Sequence, residues 1–325
     1  MNYRKIAALI LSCTLAFSLA ACAPKAPEAP APAAEPAVAE QPAEETQKLD
    51  PEMASYYVTA QWLHENQDNV VIVDANGDKA YKAGHIPGAV NITWQSLSNM
   101  SVKQGEPGWG VVLGQEELAK KLGEFGIDGS KDIVVYNDPK GLGEEGRVLW
   151  MLRIAGLENS KMLYGGIPAW KNAGYEVTTE ATAVTAVPFT ITSYDSDRIA
   201  TTEFVKENQK TLKLLDTRSP EEYNGETTHG ENYKGKDALG HIEGAVHLHY
   251  ADLYNVDGTP KSIADLKATF EGLGLKPEDE IVTYCTVGIR SGFTAEMLRM
   301  CGYSKAKNYN ASFSEWAGQG LPYVK

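Results

Sequence analysis

Short β-branched runs alternate with longer stretches of helical period along most of this chain. Val70-Val71-Ile72-Val73-Asp74, Ile133-Val134-Val135-Tyr136, Leu212-Lys213-Leu214-Leu215-Asp216 and Ile281-Val282-Thr283-Tyr284 predict strands. Amphipathic spacing over 115–125 and 263–273 predicts helices between them. The alternation argues for α/β units, each a mainly parallel sheet flanked by helices.

The pattern also repeats. His85-Ile86-Pro87-Gly88-Ala89-Val90 answers His241-Ile242-Glu243-Gly244-Ala245-Val246, Met151-Leu152-Arg153 answers Met297-Leu298-Arg299, and Trp170 answers Trp316. The last two pairs share an offset of 146 residues, the length of one modest domain. The expected layout is one repeat over 51–180, a linker over 181–197 and a second repeat over 198–325.

The copies differ where chemistry is expected. In parallel sheets ligands bind beyond the carboxyl ends of strands, and Cys285 ends its strand where Asn137 ends the matching one. An amide cannot replace a thiolate, so only the second repeat should react. Cys285-Thr286-Val287-Gly288-Ile289-Arg290 passes from strand to loop to helix. There, inward-facing amides from Thr286, Val287, Gly288 and Ile289, the helix N-terminus and the Arg290 charge all lower a thiol pKa. In the first copy, Asp138 to Gly146 reads as a longer, acidic loop.

At 325 residues the chain is long for a single core. Arg4 and Lys5 precede an apolar run, Ile6 to Ala21, with the charge order of a secretory signal. Its end, Leu19-Ala20-Ala21-Cys22, resembles the bacterial lipobox, which implies cleavage after residue 21 and lipidation of Cys22. Residues 22–50, rich in Ala, Pro and Glu, cannot bury a core and read as a disordered tether. The expected setting is therefore a bacterial membrane-anchored lipoprotein facing out of the cytoplasm. A formal charge of −13 argues against nucleic acid and anionic lipid surfaces as partners. Beyond the signal and Cys22 only Cys285 and Cys301 remain. A helix of about three turns keeps those two ~15–20 Å apart, too far for a disulfide.

Together these residues resemble the two-domain rhodanese family. Tyr81-Lys82-Ala83-Gly84-His85-Ile86-Pro87-Gly88-Ala89 is similar to the family's N-terminal signature. Tyr309-Asn310-Ala311-Ser312-Phe313-Ser314-Glu315-Trp316 resembles its C-terminal one, departing at Asn310 and Ala311. The six residues from Cys285 to Arg290 match the family's loop length, whereas phosphatases of related fold carry one residue more. The resemblance implies a sulfurtransferase with an inactive first and a catalytic second domain. Cys285 would take sulfur from thiosulfate or a related small anionic donor and pass it as a persulfide to a thiol or cyanide. It implies no metal and no organic cofactor, and the chain is expected to act as a monomer. A tethered persulfide carrier or sulfur-binding protein without multiple turnover is the first alternative, and a phosphatase or arsenate reductase of the same fold is the second. Thr286 and Val287 stand where thiosulfate-specific enzymes often carry basic residues, which leaves the donor open. The loop also lacks the Cys-Gly-Ser-Gly type sequence of mercaptopyruvate enzymes.

Arg218 matches a family arginine that meets the anionic donor at the site mouth, and its counterpart in the first copy is Asn76. Asp216, like Asp74, is expected to order loops. His85 and His241 read as structural turn residues. His247 and His249 share a strand face, with His229 nearby, yet no Cys or carboxylate stands at a tight metal-ligating spacing. The polar segment 225–236 is expected to border the mouth, with Lys234 and Lys236 attracting an anion.

Overall fold

The computed structural model describes residues 49–228, 232–233 and 236–325. The signal, Cys22, nearly all of the tether, His229, Lys234 and the Lys236 side chain lie outside the described residues.

The first repeat contributes β1 (Tyr57–Val58), β2 (Val70–Asp74), β3 (Val90–Asn91), β4 (Asp132–Tyr136) and β5 (Lys161–Leu163). They lie in the order β1-β5-β4-β2-β3, every pairing parallel. Their helices are α1 (Pro51–Ala54), α2 (Ala60–Asn66), α3 (Asp78–Ala83), α4 (Gln115–Glu124), α5 (Glu144–Ile154) and α6 (Gly166–Asn172). The second repeat contributes β6 (Ile199–Ala200), β7 (Lys213–Asp216), the antiparallel pair β8 (Asn232–Tyr233) and β9 (Lys236–Asp237), then β10 (Val246–His247), β11 (Ile281–Tyr284) and β12 (Lys307–Tyr309). Its parallel sheet runs β10-β7-β11-β12-β6, the same order strand for strand as the first. Its helices are α7 (Thr202–Asn208), α8 (Pro220–Tyr223), α9 (Ile263–Gly272), α10 (Ile289–Met300) and α11 (Ser312–Gly318).

The predicted strands and the two amphipathic helices fall on β2, β4, β7, β11, α4 and α9. The loop expected over Asp138 to Gly146 is shorter than expected: Glu144 and Glu145 form the first turn of α5, where the helix dipole favours carboxylates. Residues 181–195 form no regular element and run along α4, with Val187 N–H donating to Gly123 O at 2.9 Å and Gln115 Nε2 to Ile191 O at 2.8 Å.

The two repeats share a core, because α5 and α10 pack face to face. Gly146 and Gly292 occupy matched positions in these helices. A Cβ on Gly146 would sit 2.6 Å from Phe293 Cα, so glycine is what lets the backbones approach. Both helices are buried nearly all round, and several of the charges they carry are partnered inside. Glu296 of α10 accepts from Arg153 of α5 at 3.2 Å and from Arg198 at 2.9 Å. Cys301 caps α10, ahead of Gly302 at φ +96°, and both Cys285 and Cys301 are free thiols.

In each sheet the chain leaves the second strand toward one edge and returns on the other side. Successive crossovers therefore diverge between β7 and β11, which makes the carboxyl ends of that pair the switch point of the sheet. Cys285 follows β11 there.

Candidate active site

All four residues of β11 are buried, as expected of a central parallel strand covered on both faces. At its end the Cys285 amide donates to Ser312 Oγ at 3.2 Å, and Phe313 N–H returns a bond to the Cys285 carbonyl at 3.0 Å. The loop is thus fixed by the turn into α11, where Ser312 sits at φ +57°, a conformation few non-glycine residues adopt. The chain then reaches Gly288 at φ +87° and enters α10. A side chain at Gly288 would also collide with the Asn310 carbonyl. In this left-handed conformation Gly288 turns its N–H onto Cys285 Sγ at 3.1 Å, and Ser291 Oγ approaches the same sulfur at 3.6 Å. These donors favour a negative sulfur.

Arg290 works through a carboxylate that sequence reading did not assign. Its Nη1 donates to Glu222 Oε2 at 2.6 Å, and its Nη2 to Glu222 Oε1 at 3.0 Å and to Thr286 Oγ1 at 2.6 Å. Glu222 also closes a capping box with Ser219 at the start of α8. Burial pushes Glu222 up, but the Arg290 bonds and charge, the Ser219 amide and Arg218 together pull it down to about 2. Burial likewise pushes the Cys285 thiol up. The Arg290 charge, the loop amides and the Ser291 hydroxyl outweigh it and hold the thiol below its ordinary value.

The sulfur opens on a cavity of about 420 Å³. One wall is Cys285, Thr286, Val287, Ile289 and Arg290; the other is Trp94, Gln104, Trp109 and Leu142 of the first repeat. Trp94 and Trp109 meet edge to face, centroids 6.0 Å apart.

Of the residues singled out from sequence, the structure brings together Cys285, Thr286, Val287, Ile289 and Arg290 around this cavity, with Gly288 behind the sulfur. Arg218 departs from expectation. It is buried, clamped to Asp216 at 2.6 Å and to the Gly240 carbonyl at 2.6 Å, with its guanidinium 4.2 Å from the Phe313 ring centroid. A carboxylate two residues back folds onto it, so it ties loops together and does not line the cavity. Asn76 holds Asp74 in the same way, at 2.7 Å. His85 and His241 are turn residues, their Nδ1 atoms 2.8 and 2.9 Å from the carbonyls of Tyr81 and Tyr223, on which their rings stack. His247 Nε2 meets the Arg218 carbonyl at 2.8 Å. Sequence reading missed the first-repeat wall altogether, since no local pattern shows which distant loop will face the sulfur. It passed over Glu222, although the Ser219-Pro220-Glu221-Glu222 capping signal was visible.

A family model described as the rhodanese-like domain matches residues 59–173 and again 201–319. The chain belongs to the rhodanese family. Both rhodanese domains are therefore present, and of the two central strands only that of the second ends in a cysteine. A sulfur carrier protein of Thermus thermophilus is 33% identical over 282 residues, 82% of this chain and 96% of that protein. A thiosulfate sulfurtransferase of Pseudomonas aeruginosa is 30% identical over 250 residues, 76% of this chain and 88% of that one. The rhodanese fold is shared with an anaerobic ergothioneine biosynthesis enzyme of Chlorobium limicola. That match has TM-score 0.74 at 24% identity, covering 84% of this chain and 71% of that one.

Proposed function

We propose that the chain moves a sulfane sulfur from thiosulfate or a related donor to a thiol or cyanide through a persulfide on Cys285. The Cys285 thiolate attacks the donor's outer sulfur, a new S–S bond forms, and sulfite leaves with the electron pair of the broken bond. The acceptor then attacks the outer persulfide sulfur, and the Cys285 thiolate leaves. The observation that carries this reading is the Gly288 N–H on Sγ, which stabilises the thiolate that attacks in the first step and leaves in the second. One chain supplies both cavity walls, so a monomer suffices. Through a lipid on Cys22 the protein works at a membrane outside the cytoplasm.

One feature favours an organic or protein-borne partner, and with it the carrier reading. The Arg290 charge is matched by Glu222, and much of the cavity wall is Trp94, Trp109, Leu142, Val287 and Ile289. A small dianion gains little there. An organic persulfide or thiol buries apolar surface against the tryptophans.

Intact mass spectrometry after incubation with thiosulfate, an organic persulfide or polysulfide tests both readings. One added sulfur is expected on the wild type and none on Cys285→Ser. A folded, reduced wild type that gains no sulfur from any of them removes the proposal. Turnover of an aryl phosphate in its place would assign the loop to phosphate chemistry. Cys22→Ala should move the protein from the membrane fraction to the soluble one.

A further inference from the structure

Arg147 lies in α5, in the repeat without a nucleophile, and has no exposed surface. Each of the other buried arginines pairs with a carboxylate: Arg153 and Arg198 with Glu296, Arg218 with Asp216, Arg290 with Glu222. Among the described residues Arg147 pairs with none, and its Nε has no hydrogen-bond partner. Its Nη2 donates to the Gly110 carbonyl at 2.9 Å, its Nη1 to the Gly288 carbonyl at 3.3 Å, and its guanidinium lies 4.5 Å from the Trp150 ring centroid.

A buried cation without a counter-ion is costly, and this one stands at the N-terminus of α10, the positive end of a helix. Stability alone does not explain it. The negative charge set against it is that of Cys285, while burial lowers its pKa. The Gly288 carbonyl it holds also accepts from Asn308 Nδ2 at 3.1 Å and Gly292 N–H at 3.1 Å. Asn308 Oδ1 in turn accepts from Ser291 Oγ, the hydroxyl near the sulfur, at 2.8 Å. Two donor groups from outside the loop therefore fix the residue whose N–H meets Sγ. Among the described residues, the other ionisable groups facing the thiol are Arg290, matched by Glu222, and Tyr250, whose own pKa is raised by burial.

We propose that Arg147 is a positioning residue for sulfur transfer in the opposite repeat: it holds Gly288 with its N–H on Sγ, and its unmatched charge stabilises the Cys285 thiolate and the persulfide anion that follows. The proposal rests on Cys285 reacting as an anion. Its test needs no sulfur donor, so a failure to form persulfide leaves it readable.

The rate of Cys285 alkylation by iodoacetamide is measured against pH in the full chain, with the modified peptide identified so that Cys301 does not contribute. In Arg147→Met and Arg147→Gln the midpoint should rise by about one pH unit, with a roughly tenfold loss of rate near neutral pH. Arg147→Lys, which keeps the charge, should restore most of the shift. A folded neutral variant with the wild-type midpoint overturns the proposal, as does a lysine variant no better than methionine. If neither neutral variant folds, Arg147 is a structural tie between the repeats and the proposal fails.

Discussion

Glu222 shows how much one side chain can carry at this site. Its folded pKa of about 2 lies below the ordinary 4.5, so the stabilisation is complete above the higher value and drains away as pH falls toward the lower. Glu222→Gln should cost on the order of 3 kcal/mol at neutral pH, and the gap to wild type should close as urea unfolding is repeated at falling pH. The same substitution takes a negative charge from beside Arg290 and leaves its field on the sulfur less opposed. The Cys285 alkylation midpoint should therefore fall, the opposite direction from the Arg147 variants. Cys285 and Arg290 were legible because strand, thiol, glycine and arginine follow one another in a single local run. Arg218 was misread because its pairing with Asp216 depends on how a side chain folds back, which spacing leaves open.

At the scale of elements, helices with one wet face announced themselves and helices with none did not. α4 and α9 carry the amphipathic period that sequence reading used. α5 and α10 are buried nearly all round and mix apolar residues with charges set inside, a pattern without the one-sided period and without a named partner. Their crossing depends on glycine at its closest point. Gly146→Ala would place a methyl 2.6 Å from Phe293 Cα, against backbone that cannot step aside. The expected loss is about 1–3 kcal/mol by denaturant unfolding, typical of overpacking and well beyond what alanine gains from helix propensity. The sheet order was legible only as a class: alternation gave parallel α/β units, while the switch point between β7 and β11 emerged from the three-dimensional pairing.

Across the whole molecule the seam between the repeats holds a titratable defect. Glu145 of α5 is buried against Tyr254, whose hydroxyl donates to Oε1 at 2.7 Å, while Oε2 has no hydrogen-bond partner. Burial raises this carboxyl to about 7 against the pull of Tyr254. A carboxylate raised on folding contributes most below its unfolded value, so stability should fall as pH climbs from about 4.5 to about 7, by an amount on the order of 3 kcal/mol. Glu145→Gln should flatten that slope in urea unfolding, and the variant should overtake wild type at the alkaline end. The repeat itself was plain in the sequence because matched motifs recur in the same order. The seam was hidden, because contacts between copies leave no periodic trace.

The cavity draws its reacting bond from one copy and its aromatic wall from the other. Trp94, Trp109 and Leu142 can change without touching the nucleophile, its loop or the residues that set its charge. The wall a partner meets and the thiol it meets thus lie in different repeats. The first repeat, with Asn137 in place of the cysteine, is where that wall can be redrawn for a new partner so long as Arg147 is kept.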